Sequence, residues 1–83
     1  MQEVVIEPHA RERMAERGAS EPEVVATVRQ GERFPAKFGR RLPPELRLRR
    51  RVRGRRYATK QVEVFAVEEA GRWIVVTVIA RYF

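Results

Sequence analysis

Residues 46–53 read Leu46-Arg47-Leu48-Arg49-Arg50-Arg51-Val52-Arg53, and the fold turns on whether this octet is a strand or a helix. Successive side chains of a strand point to opposite faces. A strand here places Leu46, Leu48 and Val52 with Arg50 on one side, and Arg47, Arg49, Arg51 and Arg53 on the other. That period of two argues for an apolar underside beneath a row of guanidinium groups. A helix beginning at Pro44-Glu45 is the competing reading.

Working outward, Gly54 falls in a turn, Arg53-Gly54-Arg55-Arg56, after which the chain returns through Tyr57-Ala58-Thr59. The next strand is expected over residues 61–68, where Val62, Val64, Phe65, Ala66 and Val67 make it apolar enough to be central. Ala70-Gly71 turns the chain again. The last strand, residues 73–82, carries the β-branched run Ile74-Val75-Val76-Thr77-Val78-Ile79 and is expected to be covered on both faces. Upstream, residues 33–38 form a candidate strand that Pro35 confines to an edge. Residues 39–45, with Pro43-Pro44, read as a loop.

The N-terminal third has a different rhythm. Glu3-Val4-Val5-Ile6 reads as a short strand, and Pro8 suits the first turn of a helix running to Arg17, with Ala10 and Met14 inward and Gly18 at its end. Ser20-Glu21-Pro22-Glu23 is a capping box that starts a second helix closing near residue 30. The order is β-α-α-β-β-β-β, an α+β arrangement: two N-terminal helices packed on a mainly antiparallel sheet of about four strands. The helices should cover one face and leave the other to arginine.

Twelve of the eighteen basic residues lie between Arg33 and Lys60 with Glu45 as the single acid among them, so this stretch carries +11. The remainder, six cations against ten acids, carries −4, and the formal charge is +7. Charge this uneven repels itself unless an anion relieves it, and a phosphate backbone or an acidic protein is the expected companion. Sixteen of the eighteen cations are arginine, whose planar fork suits bidentate phosphate contact. Abundant arginine and glutamate without cysteine also fit a thermophile or a GC-rich genome.

Eighty-three residues make one domain, 1–83, whose thin core a homodimer would enlarge. The absence of cysteine excludes disulfides and thiolate metal sites, and one histidine with no ligand cluster leaves no metal or cofactor to expect. Met1-Gln2-Glu3 lacks the basic start of a signal peptide, and no apolar run nears the ~18 residues of a membrane span. A cytoplasmic location away from membranes is expected.

The segment His9-Ala10-Arg11-Glu12-Arg13-Met14-Ala15-Glu16-Arg17-Gly18, followed by Ser20-x-x-Glu23-Val24 and Gly31, resembles a known pattern. It is similar to the His-x4-Met-x2-Arg-Gly opening of an uncharacterised bacterial domain family related to BrnT toxins and, more distantly, to the RelE/ParE-like toxin superfamily. Lys60-Gln61-Val62-Glu63-Val64 and Val76-Thr77-Val78-Ile79 are similar to that family too, so the likeness spans most of the chain and is weakest over 39–56. The resemblance implies a compact sheet with two N-terminal helices packed on it, of the RelE/ParE-like type. For the wider superfamily it implies ribonuclease activity, free or on the ribosome, or gyrase poisoning, with an acidic antitoxin as partner. Because that superfamily's ribonucleases use Lys, Arg and Tyr groups on the sheet, it implies Lys60, Arg81 and Tyr82 as catalytic candidates, with arginines gripping phosphate.

Two further observations bear on chemistry. The hairpin across Ala70-Gly71 is expected to bring residues 60 and 81 near each other, a site-like convergence. On the first helix, His9, Arg13 and Arg17 are spaced i, i+4 and i+8. An imidazole beside guanidiniums there could take a proton from a ribose 2′-hydroxyl while arginine steadies the phosphorane; the alternative is that His9 only shapes the helix start. Arg47, Arg49, Arg51, Arg53, Arg55 and Arg56 are the candidate nucleic-acid-binding cations, and Tyr57 the best-placed aromatic for stacking on a base. Trp73, Phe65, Phe34 and Phe38 read as core. The expected function is a small toxin-like protein, an endoribonuclease in its sharpest form, that binds RNA or the ribosome through its basic strand. The rival is a non-catalytic basic module that docks nucleic acid or an acidic protein.

Overall fold

The computed structural model describes residues 2–35, 45–53 and 59–83. The octet is a strand. Seven elements follow one another: β1 (Glu3–Ile6), α1 (Pro8–Arg17), α2 (Glu21–Gln30), β2 (Glu32–Pro35), β3 (Glu45–Arg53), β4 (Thr59–Glu69) and β5 (Arg72–Tyr82). The strands form one sheet in the order β1-β5-β4-β3-β2, so the apolar β4 is central and Pro35 lies on an edge strand. Pairing is antiparallel from β2 through β5, whereas β1 joins β5 in parallel.

The fold is therefore α+β in the expected β-α-α-β-β-β-β order, with a mainly antiparallel sheet that holds five strands, not about four, because β1 joins it in parallel. The extra strand has a simple cause. Pro8 opens α1 two residues after Ile6, so β1 has no turn through which to make a hairpin, and its Val4-Val5-Ile6 pairs along Trp73-Ile74-Val75 instead. Residues 36–44 and 54–58 lie outside the described residues; with them lie the rest of the expected 33–38 strand and the turn bearing Arg55, Arg56 and Tyr57.

Both helices end as their local chemistry requires. Gly18 takes φ +73° and donates its N–H to the Met14 carbonyl. A Cβ on Gly18 would also stand 2.9 Å from the Tyr82 hydroxyl. The capping box of α2 is complete, with Glu23 N–H donating to Ser20 Oγ at 3.3 Å and Ser20 N–H to Glu23 Oε1 at 2.9 Å. At the far end of α2 a Cβ on Gly31 would lie 2.8 Å from the Arg49 carbonyl oxygen, so glycine lets the helix end against β3.

One face of the sheet receives both helices. Ala10 and Met14 of α1 and Val24, Thr27 and Val28 of α2 are buried with Ile6, Leu48, Val62, Val64, Ala66, Trp73, Val75 and Val78. Leu48, Val64 and Val78 stand in one cross-strand row and are each fully buried. Burying a Val or Leu side chain contributes ~1.5–3 kcal/mol, so this row anchors the fold. The register changes between Phe65 and Ala66: Phe65 pairs with Thr77 and Ala66 with Val75, leaving Val76 as an added residue. Because of this bulge Val75 and Val78, three apart, both reach the core. The expectation that β5 is covered on both faces does not hold, for Ile74, Thr77 and Ile79 on the side without helices are only half-buried.

Candidate nucleic-acid interface

Cross-strand register assembles the helix-free face. One row runs Phe34–Arg47–Phe65–Thr77, the next Glu32–Arg49–Glu63–Ile79, and a third Arg51–Gln61–Arg81. Arg53 and Thr59 follow, with Phe83 joined to Thr59 by two backbone hydrogen bonds. Five guanidiniums (Arg47, Arg49, Arg51, Arg53, Arg81) thus share this part of the face with two carboxylates, Glu32 and Glu63. The alternation of residues 46–53 accounts for four of the five, since Leu48 points into the core and its neighbours cannot.

Several of these cations rest on aromatic rings. The guanidinium carbons of Arg47 and Arg49 lie 5.0 Å and 4.8 Å from the Phe34 ring centre, and that of Arg51 lies 6.0 Å from the Phe83 ring. Each such contact contributes ~0.5–1 kcal/mol at an exposed site and holds the planar group flat. Arg47 Nε is buried and has no hydrogen-bond partner among the described residues. A buried donor without an acceptor costs ~1–3 kcal/mol, which the stacking on Phe34 offsets in part.

At the floor lies a polar ladder. Arg51 Nε donates to Gln61 Oε1 at 3.0 Å, Gln61 Nε2 donates to Glu63 Oε1 at 2.7 Å, and Arg81 Nε sits 3.5 Å from the same oxygen. Gln61 and Glu63 are only 4% and 5% exposed although neither α1 nor α2 lies on their side of the sheet. Among the described residues both partners of Glu63 fall on Oε1, and Oε2 has none. Among the described residues the ion-pair partner of Arg49 is Glu32, at 3.9 Å, a surface pair of little energetic weight.

The other candidates lie across the sheet. His9 is exposed on α1, Arg13 pairs with Glu16 at 2.6 Å, and Arg17 donates to the Val78 carbonyl. These side chains are on the helix side and do not meet Arg47, Arg49 or Arg51. Lys60 is opposite Tyr82 and Gln61 opposite Arg81, so Lys60 and Arg81 do not converge: a register one step from the expected one sends them to opposite faces. Lys60 turns to the helices, where its ammonium donates to the Gly18 carbonyl and to Glu23 Oε1, the latter at 2.9 Å. Tyr82 donates its hydroxyl to the Arg17 carbonyl at 2.7 Å. Burial by itself would raise the Glu23 carboxyl. The Ser20 N–H, the Lys60 ammonium and the Ser20 hydroxyl more than offset it and hold the group below its ordinary range.

Gln61 and Glu63 belong to the family-like block Lys60-Gln61-Val62-Glu63-Val64, but no motif there assigns them a role. Their signal was present as polar groups at alternate positions of an apolar strand, Gln61-Val62-Glu63-Val64, which marks a second face with its own chemistry. Phe34, expected in the core, serves that face instead.

Among the described residues no three His, Cys, Asp or Glu side chains gather to hold a metal ion, and no helix is long and apolar enough to cross a membrane. No curated protein and no solved structure gives a significant match to the chain. A family profile described as a domain of unknown function does match, over residues 6–80. That span takes in both helices, the whole core and nearly all of the arginine face, and the chain belongs to this family, DUF4258.

Proposed function

We propose that this protein binds single-stranded nucleic acid, RNA foremost, on the helix-free face of its sheet. The observation that carries the reading is the set of guanidiniums of Arg47, Arg49 and Arg51 laid over Phe34 and Phe83 on the face away from α1 and α2. Cationic groups interleaved with aromatic rings suit a strand of phosphates and unstacked bases. An acidic protein fits less well, because it brings no unstacked bases to lie against the guanidiniums and rings. Residues that tie the helices to the sheet, Lys60 and Tyr82, act in this reading as structural clamps. The test is anisotropy of a labelled twelve-nucleotide RNA across a salt series. Log affinity should fall with log salt by ~0.7 for each phosphate neutralised. Replacing Arg47, Arg49 and Arg51 together by Gln should abolish binding, while His9→Ala leaves it intact. A triple variant that is folded and binds as well as the parent removes the proposal.

A second reading keeps the same surface but adds cleavage: a toxin-like endoribonuclease of the RelE/ParE-like type with an acidic antitoxin as its partner. Two helices packed on a sheet with a basic face, and a carboxylate beside Arg81, support it. Incubation with RNA, alone and with ribosomes, decides it. No cleavage in either, together with normal growth on overexpression, leaves binding as the sole activity.

A further inference from the structure

Glu63 is the residue that binding of a simple polyanion does not explain. A carboxylate at the centre of an arginine face weakens the hold on any purely anionic ligand, yet this one is almost wholly buried there. Its Oε1 is used by Gln61 and Arg81, and its Oε2 has no partner among the described residues. Among the described residues Arg47 Nε alone is a fully enclosed side-chain polar atom without a partner, so Oε2 keeps an opening to the surface, where an ionised carboxylate oxygen can accept from an outside donor. The neighbouring seat is of the opposite kind. Arg81 is about half exposed, and its Nε stands 3.5 Å from Glu63, so most of its guanidinium fork remains available for an anion. A ligand that fills both seats must carry a hydrogen-bond donor immediately beside a negative charge.

Ribonucleotides carry that combination in every repeat: a 2′-hydroxyl next to the 3′-phosphate. DNA has the phosphate and lacks the donor, and the 2′-hydroxyl is the group by which a protein separates the two polymers. Base edges also donate, but a base would have to enter between Arg49, Arg51 and Arg81 to reach the floor, whereas the sugar follows the phosphate there. We infer that Glu63 Oε2 accepts a hydrogen bond from a ribose 2′-hydroxyl whose adjacent phosphate is held by Arg81, making Glu63 the specificity-determining residue for RNA over DNA. The inference rests on the nucleic-acid reading above and adds the discriminating contact.

The experiment compares three twelve-nucleotide strands of one sequence (RNA, DNA and 2′-O-methyl RNA) with the unaltered protein and with Glu63→Gln, whose urea midpoint is measured in parallel. A hydrogen bond to a charged group corresponds to a ~10- to 100-fold preference for RNA. The unaltered protein should lose this factor equally on DNA and on 2′-O-methyl RNA, since neither can donate from the 2′ position. Glu63→Gln should retain the DNA affinity or improve it, and should bring the three strands together. Equal binding of RNA and DNA by the unaltered protein overturns the inference while leaving the parent reading standing. So does a Glu63→Gln variant that strengthens all strands by one factor, for then Glu63 only trims the charge. A loss that follows guanine content rather than the 2′ substituent also overturns it. The comparison among strands by the unaltered protein stands even if the variant fails to fold. If none of the strands binds, the parent reading itself is removed.

Discussion

Lys60 joins three parts of the molecule. Its ammonium reaches the carbonyl that ends α1 and the carboxylate that caps α2, from a side chain only 13% exposed. Lys60→Ala removes both contacts and leaves Glu23 partly buried without its cation, a loss of ~1–3 kcal/mol in urea unfolding. RNA affinity should not change in that variant at a temperature where it stays folded, and a proportionate loss of binding would return Lys60 to the functional face. Glu23 itself sets a pH dependence. Its folded-state carboxyl holds a proton less readily than the unfolded chain does, so its stabilising contribution is full above the ordinary glutamate range. That contribution disappears as pH falls through the lower folded value. Thermal melts across the acid range should therefore show a shallower decline for Glu23→Gln than for the parent, from a lower neutral starting point.

At the scale of elements, the β4–β5 hairpin carries a local conflict. Ala70 and Gly71 both take positive φ, 52° and 74°, the pattern of a type I′ turn. An L-residue with a Cβ is disfavoured there by ~1–2 kcal/mol, so Ala70→Gly should raise stability by ~0.5–1 kcal/mol after the entropy cost of glycine. Calorimetry reads this directly, and a lowered midpoint would show that the turn is not strained. Leu48 tests the opposite end of the scale. It is fully buried on the side of β3 that faces α2, and Leu48→Ala should cost ~2–5 kcal/mol, a large share of the ~5–15 kcal/mol typical of a domain. The same residue shows how much could be read in advance. Period-two alternation around Leu48 was enough to place four arginines on one face, because a buried neighbour fixes the side of every other residue in the strand. The bulge at Val76 was not legible. Ile74 to Ile79 is uniformly β-branched or apolar, and nothing in such a run marks where the alternation skips.

For the molecule as a whole, a formal charge of +7 concentrated in one stretch means that the folded state holds like charges together. A ligand that binds only the folded form stabilises it by mass action. Inorganic phosphate should accordingly raise the thermal midpoint more than chloride at equal ionic strength, and the excess should shrink when Arg49, Arg51 and Arg81 are replaced by Gln. Equal effects of the two salts would mean that screening alone is at work. The candidate site shows the same division between local and global information. That a basic face existed was visible from composition and spacing. Which of Lys60, Arg81 and Tyr82 belonged to it was not, because a single step in the β4–β5 register exchanges the faces.

The amino-acid sequence by itself determined the two capped helices, the strands with their turn chemistry, and the one-sided placement of arginine. Each of these depends on neighbours within a few positions along the chain. Only the tertiary structure decided that β1 lies parallel beside β5, that Lys60 and Tyr82 secure the helices, and that Glu63 sits buried beneath Arg81. These are matters of pairing between distant segments, where strand register, not local preference, selects which side chains meet.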